Sequence, residues 1–372
     1  MRKLNVLFTI NGDGRGHMTQ ALAMQKILHD AGHRVPAMLV GREPNQPIPG
    51  FFPSKAAVPI IRFDSFAFVA DPQNKSISLP ATVWHNLRDA PRFIQSFGAI
   101  RRALRQYRPD VVLNFFEPIA GIYYLLYRPR AALVSLANQY IMLHPDYSFP
   151  PGKRLDRLFV QLWSRVTSFR SRRLLALSLK PRANLSRMTV IPPLLRPEVL
   201  ARAPQTREPF LLIYLLKSGL RDEIVHWHQQ HPEVELHCFT DLPQAEETLA
   251  YDETLYFHRL SETAFLDLMA RCNGIVATAG YQTLCEAMYL GKPILVVPVA
   301  NHYEQFCNAF ECPAIGAGLG AAHFDLSAFL EYLPKHKPAP FREWVAQAPQ
   351  RIVQAIESVD QGLPSLGFDR KE

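Results

Sequence analysis

The chain is poor in the features that would place it quickly. Its five cysteines include no Cys-x-x-Cys pair, which excludes a zinc framework or disulfide scaffold and points to a reducing compartment, the cytosol. No apolar run is long enough to cross a bilayer: the longest, Val111 to Tyr127, contains Asn114, Glu117 and Pro118. Low-complexity tracts and repeats are missing, as expected of a globular chain. MRKLNVLFTI is basic then apolar, but it runs into NGDGRGH without a small-residue cleavage site, so it reads as a first strand. With 372 residues and 48% hydrophobic content, the chain has room for two α/β domains with substantial cores.

Acidic residues are scarce in one half only. Residues 1–200 hold 28 Lys and Arg against 11 Asp and Glu, a net +17, whereas the rest hold 13 against 22, a net −9. The basic half therefore suits an anionic partner, a membrane surface before a nucleic acid. Residues 153–187 carry ten of these cations, interleaved with Leu, Phe, Val and Trp163. That segment reads as an amphipathic membrane-contact helix, as a nucleic-acid groove or as a solvated helical face.

Strands alternate with helices. Leu4 to Ile10 precedes a glycine loop, Asn11 to Gly16, and a helix from Met18 to Ala31 stopped by Gly32. Strands follow at 35–40, 60–63, 111–115, 131–137 and 189–191, with helix over 81–107 interrupted or restarted at Pro91. Prolines 192, 193, 197, 204 and 209 mark a linker. A second series then runs through 210–215, a helix over 221–231, 234–239, a helix over 265–272, and 274–278, with a closing helix over 344–359. The expectation is an α/β protein of two doubly wound, Rossmann-like domains: an N-terminal domain 1–191, a linker 192–209 and a C-terminal domain 210–372.

Residues 278–309 carry the most chemistry. Gly280 lets a ligand approach the backbone closely, and the helix beginning near Tyr281 offers unpaired N–H groups and a positive dipole end, which suits a pyrophosphate. Thr283 adds a hydroxyl in the first turn. Glu286 lies on the same face one turn on and can accept from both hydroxyls of a ribose. Gly291 and Pro293 end the helix, 294–297 form a buried strand, and 301–308 read as a loop at its carboxyl end, where open α/β sheets bind ligands.

Gly280, Thr283, Glu286, Ala287, Gly291, Pro293, Pro298, Glu304, Gln305, Asn308 and Ala309 together resemble the donor-binding segment of GT-B glycosyltransferases, above all family 28 and the UDP-glycosyltransferases. The resemblance implies two domains with a cleft between them and a nucleotide diphosphate sugar, UDP-linked, in the second. It also implies a hydroxyl acceptor, lipid-linked or glycan, in the first. It casts Glu304 and Gln305 as sugar-hydroxyl ligands, with Gln282, His302 and Asn308 in support. It further implies that the closing helix crosses back to the first domain. No cofactor is expected. Without an Asp-x-Asp motif, no metal is expected either, and His226, His228 and His231 lack a further ligand.

Gly12, Gly14 and Gly16 stand at alternate positions and do not spell a dinucleotide fingerprint. Followed by His17, they resemble the first-domain loop of the same transferases. His17 is the expected base: imidazole is well poised to take a hydroxyl proton, and a helix N-terminus keeps it neutral. Glu117, after the strand 111–115, is the second candidate, orienting His17 or binding acceptor. Phe115 to Gly121 replaces the second glycine loop of the family-28 cell-wall enzymes, and with Asn138-Gln139 resembles a little-characterised microbial branch; this leaves the acceptor open. The residues also leave open a nucleotide-sugar 2-epimerase or hydrolase of the same fold, or a non-catalytic sugar-nucleotide-binding protein. A soluble or inner-face peripheral cytoplasmic location is expected.

Overall fold

The computed structural model describes residues 2–44, 46–67, 79–203, 205, 207–214, 221–240 and 247–360. The first sheet is built from β1 (Val6–Asn11), β2 (Met38–Arg42), β3 (Ile60–Asp64), β4 (Val111–Phe115), β5 (Ala132–Ala137), β6 (Arg173–Leu177) and β7 (Met188–Ile191). Its order is β3-β2-β1-β4-β5-β6-β7, and every neighbouring pair is parallel. β1, β4 and β5 are buried at every position, which is why they read as continuous apolar runs and not as alternating ones.

The second sheet comprises β8 (Phe210–Tyr214), β9 (Glu235–Thr240), β10 (Thr248–Ala250), β11 (Leu255–Arg259), β12 (Gly274–Thr278), β13 (Ile294–Val297) and β14 (Gly318–Gly320). Its order is β10-β11-β9-β8-β12-β13-β14, parallel except for the β10–β11 edge pair. In each sheet the order reverses beside the first strand, leaving a crevice at the carboxyl ends where ligands collect.

Helix Leu79–Tyr107 runs through Pro91 without a break. The lost hydrogen bond falls on the carbonyl of Leu87, an exposed residue, so the cost of the missing donor stays at the solvent side. The segment 301–308, expected as a loop, is instead the start of helix Tyr303–Ala314, with Glu304 in its first turn. An acid there favours a helix N-terminus, and the polar residues that suggested a loop are the helix's cleft-facing side. The closing helix is two: Phe341–Ala346 and Ala348–Asp360. They return to the first sheet, where Trp344 Nε1 donates to the Ser178 carbonyl at 2.9 Å and Ile352 and Ile356 are fully buried. Pro204, Leu215 and Asp241, and the tail 361–372, lie outside the described residues.

Candidate active site

The two sheets face each other across a cleft of about 480 Å³. The loop after β1 forms one wall. There the Gly12 amide donates to the Gly41 carbonyl at 2.7 Å, and a Cβ on Gly12 would lie 2.6 Å from that oxygen, so only glycine lets β1 and β2 close here. Gly14, at φ +79°, makes the left-handed turn that brings the chain back into the helix beginning at Gly16. Gly14, Gly16 and His17 line the cleft together with Arg15 and Gln20.

His17 sits in the first turn of that helix, its ring stacked on Phe116 with centroids 5.7 Å apart. Its Nδ1 lies 3.3 Å from Gln20 Oε1. With Nδ1–H donating to that oxygen, Nε2 keeps its lone pair. Crowding by the cleft walls lowers the imidazole pKa from its ordinary value, opposed by the negative charge of Glu304 and by the Gln20 contact.

Glu117 is not where the sequence suggested. It lies wholly inside the first domain and caps helix Pro118–Tyr127, with Oε1 accepting from the Ile119 amide at 2.9 Å and from Ser65 Oγ at 2.6 Å. It lines no part of the cleft, and the side chain beside His17 Nδ1 is Gln20. A glutamate that caps a helix directly after a strand has the same sequence pattern as an acid at a ligand-binding strand end. Burial pushes the Glu117 carboxyl up to about 8.

The opposite wall is the start of helix Tyr281–Tyr289, where Gly280 stands at the N-cap position and no side chain caps the amides. A Cβ on Gly280 would meet nothing of the protein closer than 3.9 Å, so the fold does not demand a glycine here. Gln282 and Thr283 are partly exposed on the cleft. Glu286 is buried at 1% exposure and is already engaged: Arg196 Nε reaches Oε1 at 2.7 Å, Arg196 Nη2 reaches Oε2 at 2.6 Å, and Gln282 Nε2 adds a contact to Oε1 at 3.1 Å. These three bonds take up most of the acceptor capacity that two ribose hydroxyls would need.

His302, Glu304 and Gln305 line the third side. Gln305 spends its carbonyl on the Val299 amide at 2.8 Å, leaving its own N–H groups. Asn308 stands behind the lining, its side-chain amide donating to the Ala279 carbonyl at 2.9 Å, so it holds the Gly280 turn in place. Sequence reasoning missed Arg15, Gln20, Arg196 and Glu262. Only the position of Arg15 and Gln20 beside the glycine loop carried a signal; Arg196 sat unnoticed in the proline-rich stretch. His228, one of the three helix histidines, pairs with Asp252 at 3.0 Å, and no group of three or more metal-ligating side chains occurs among the described residues.

Two largely parallel, Rossmann-like sheets meeting over such a cleft make the GT-B fold. The chain belongs to glycosyl transferase family 1, whose model matches residues 4–335, and the resemblance drawn from residues 280–309 holds. Among solved structures it is similar to the Arabidopsis thaliana glycosyltransferase UGT89C1 (TM-score 0.64, 15% identity, covering 97% of this chain and 99% of that one). It is similar also to the spinosyn forosaminyltransferase SpnP (0.62, 16%, 97% and 100%) and to Acinetobacter baumannii MurG (0.58, 16%, 95% and 99%). At these identities the likeness is one of fold. A search of curated protein sequences found no match.

Proposed function

We propose that this glycosyltransferase moves a sugar from a UDP-linked donor to a hydroxyl acceptor by a single inverting displacement, without a metal. One observation carries the reading: His17 at the start of one helix faces, across the cleft, the uncapped start of another at Gly280. Nε2 of His17 takes the acceptor proton as its oxygen bonds to the sugar C1 on the face opposite the departing diphosphate. The C1–oxygen bond to that diphosphate breaks, and its developing charge meets the amides after Gly280 and the Thr283 hydroxyl. The absence of any steric demand for glycine at position 280 supports ligand approach there. Glu304 stabilises the imidazolium that forms, and the free N–H groups of Gln305 face the sugar.

We take the first domain, residues 1–191, as the acceptor side and place the acceptor at an anionic membrane. Supporting this, helix Arg154–Thr167 exposes Leu155, Leu158 and Leu162 to 81%, 61% and 60%. Trp84, Leu87 and Ile94 are exposed on Leu79–Tyr107, and Phe66 packs on both Trp163 of the first helix and Phe93 of the second. Arg88, Arg92, Arg154, Arg157 and Arg165 stand exposed among them. No helix of the described residues is long and apolar enough to cross a membrane.

A thermal-shift panel of UDP-, dTDP-, GDP- and ADP-linked hexoses tests the donor reading. A ligand at 100 times its Kd should stabilise by about 2.7 kcal/mol. A chain that responds to none of them is no such enzyme, and turnover of UDP-N-acetylglucosamine without an acceptor would favour the epimerase or hydrolase alternative.

A further inference from the structure

Glu304 belongs to the donor side of the cleft, yet both its carboxylate oxygens are held from the other side. Asn138 Nδ2 donates to Oε1 at 2.8 Å and Gln139 Nε2 to Oε2 at 2.7 Å. These two amides follow β5 directly, at the carboxyl end of a central strand of the first sheet, and both are nearly buried. All three side chains line the cleft. We infer that Asn138 and Gln139 are positioning residues for the transferred sugar, acting through Glu304. This rests on the donor reading above.

The chemistry of the pair is specific. An ionised carboxylate offers about four lone-pair sites, and the two amides fill two of them, one on each oxygen. Each oxygen keeps capacity for a hydroxyl, so the group presents a two-pronged acceptor suited to a sugar with neighbouring free hydroxyls. Neutral amides fix the rotamer without cancelling the charge, as a Lys or Arg there would. The helix bearing Glu304 is seated on the first domain further along as well. Arg182 bonds Glu311 at 2.6 Å, and the Lys153 ammonium lies 3.9 Å above the Phe306 ring. The sugar subsite is therefore complete only when the two domains stand in this relation, whereas the backbone amides at the start of helix Tyr281–Tyr289 belong to the second domain. Asn138 and Gln139 thereby make sugar recognition, and not nucleotide recognition, depend on the approach of the acceptor domain.

Calorimetry with free UDP and with UDP-glucose tests this, replaced by the matching pair if the panel selects another nucleotide. The Asn138→Ala/Gln139→Ala variant should bind the nucleotide sugar about tenfold more weakly, with free UDP within twofold of wild type. Glu304→Gln should lose a similar factor, and combining all three substitutions should add nothing further, because the amides act through that carboxylate. Asn138→Ser, which keeps a short donor, serves if the alanine variant does not fold, and should lose less than tenfold. Wild-type affinity for UDP-glucose in the double variant, an equal loss for both ligands, or additive losses would overturn the inference while leaving the donor reading intact. A wild-type chain that binds no nucleotide sugar at all would overturn both.

Discussion

Arg196 grips Glu286 through two parallel bonds of 2.7 and 2.6 Å, reaching from the connection between the sheets to the helix that faces the cleft. The arginine side chain is 14% exposed and the glutamate 1%, so each is the other's main compensation for leaving water. Breaking such a pair by truncating one partner strands a charge. Arg196→Ala should therefore cost about 3–5 kcal/mol of stability, and Arg196→Ala/Glu286→Ala markedly less than the sum of the single changes. Urea unfolding of the four proteins measures this, and additive losses would mean that the pair is not energetically coupled.

The same geometry sharpens the ribose assignment. With two bonds from Arg196 and one from Gln282, Glu286 has little capacity left, yet it still borders the cleft. About one acceptor site therefore remains for a ribose hydroxyl, and Glu286→Ala should weaken nucleotide binding by about tenfold. An unchanged Kd for UDP in a calorimetric titration would leave the carboxylate as an anchor for Arg196 and nothing more.

His17→Ala should lower kcat by about 10²–10⁴ with little change in the donor Kd, since the ring belongs to the opposite domain. A base at His17 would work only when neutral, so on the proposed mechanism activity should fall on the acid side, below the ordinary imidazole range because burial lowers this pKa. Glu304 opposes that lowering. Glu304→Gln removes the opposing charge, so any remaining activity should show its acid limb displaced to still lower pH. A limb displaced upward would contradict this assignment of the limb to His17.

Much of the fold was legible because parallel strands buried on both faces are unbroken apolar runs: β4, β12 and β13 lie at the expected residues. β14, Gly318–Gly320, is two-thirds glycine and pairs only through its neighbour's backbone, so it carries no propensity signal. β6 was hidden because Arg173–Leu177 follows a dense basic stretch that invites a single amphipathic reading. In the site, spacing located the residues but not their partners. Glu286 stood on the expected helix face, yet its bond to Arg196 spans 90 positions, and the Asn138–Glu304 bond spans 166. Such pairings follow from how the two sheets face each other, which no local pattern encodes.

Glu117 gives a pH prediction with a definite sign. Its folded pKa of about 8 lies above the usual carboxylate value, so between those limits the native state holds a proton that the unfolded chain releases. Stability from this group is fully present below the unfolded pKa and is lost as pH rises through about 8. Oε2 has no hydrogen-bond partner among the described residues and lies where any side chain on Gly41 would go, which suits a neutral group. Glu117→Gln mimics that protonated form and should reduce the fall in Tm between pH 6 and 9. A fall as steep as that of the wild type would place the responsible proton elsewhere.

The exposed face of helix Arg154–Thr167 gives the last test. Leu155, Leu158 and Leu162 follow helical spacing on one side, and burying a leucine is worth about 1.5–3 kcal/mol. Cations near an anionic bilayer add about 1 kcal/mol each. Both terms apply only if the helix lies in the interface, so binding should need anionic lipid and weaken with salt. Leu158→Glu/Leu162→Glu should abolish co-sedimentation with phosphatidylglycerol vesicles while leaving UDP affinity unchanged, because the face lies outside the cleft lining. Vesicle binding by the wild type that survives this double change would move the contact to another surface. No binding at low salt would return the face to water and leave a small soluble acceptor as the better reading. A gel shift on RNA or DNA with a steep salt slope would instead assign the basic half to phosphate backbones.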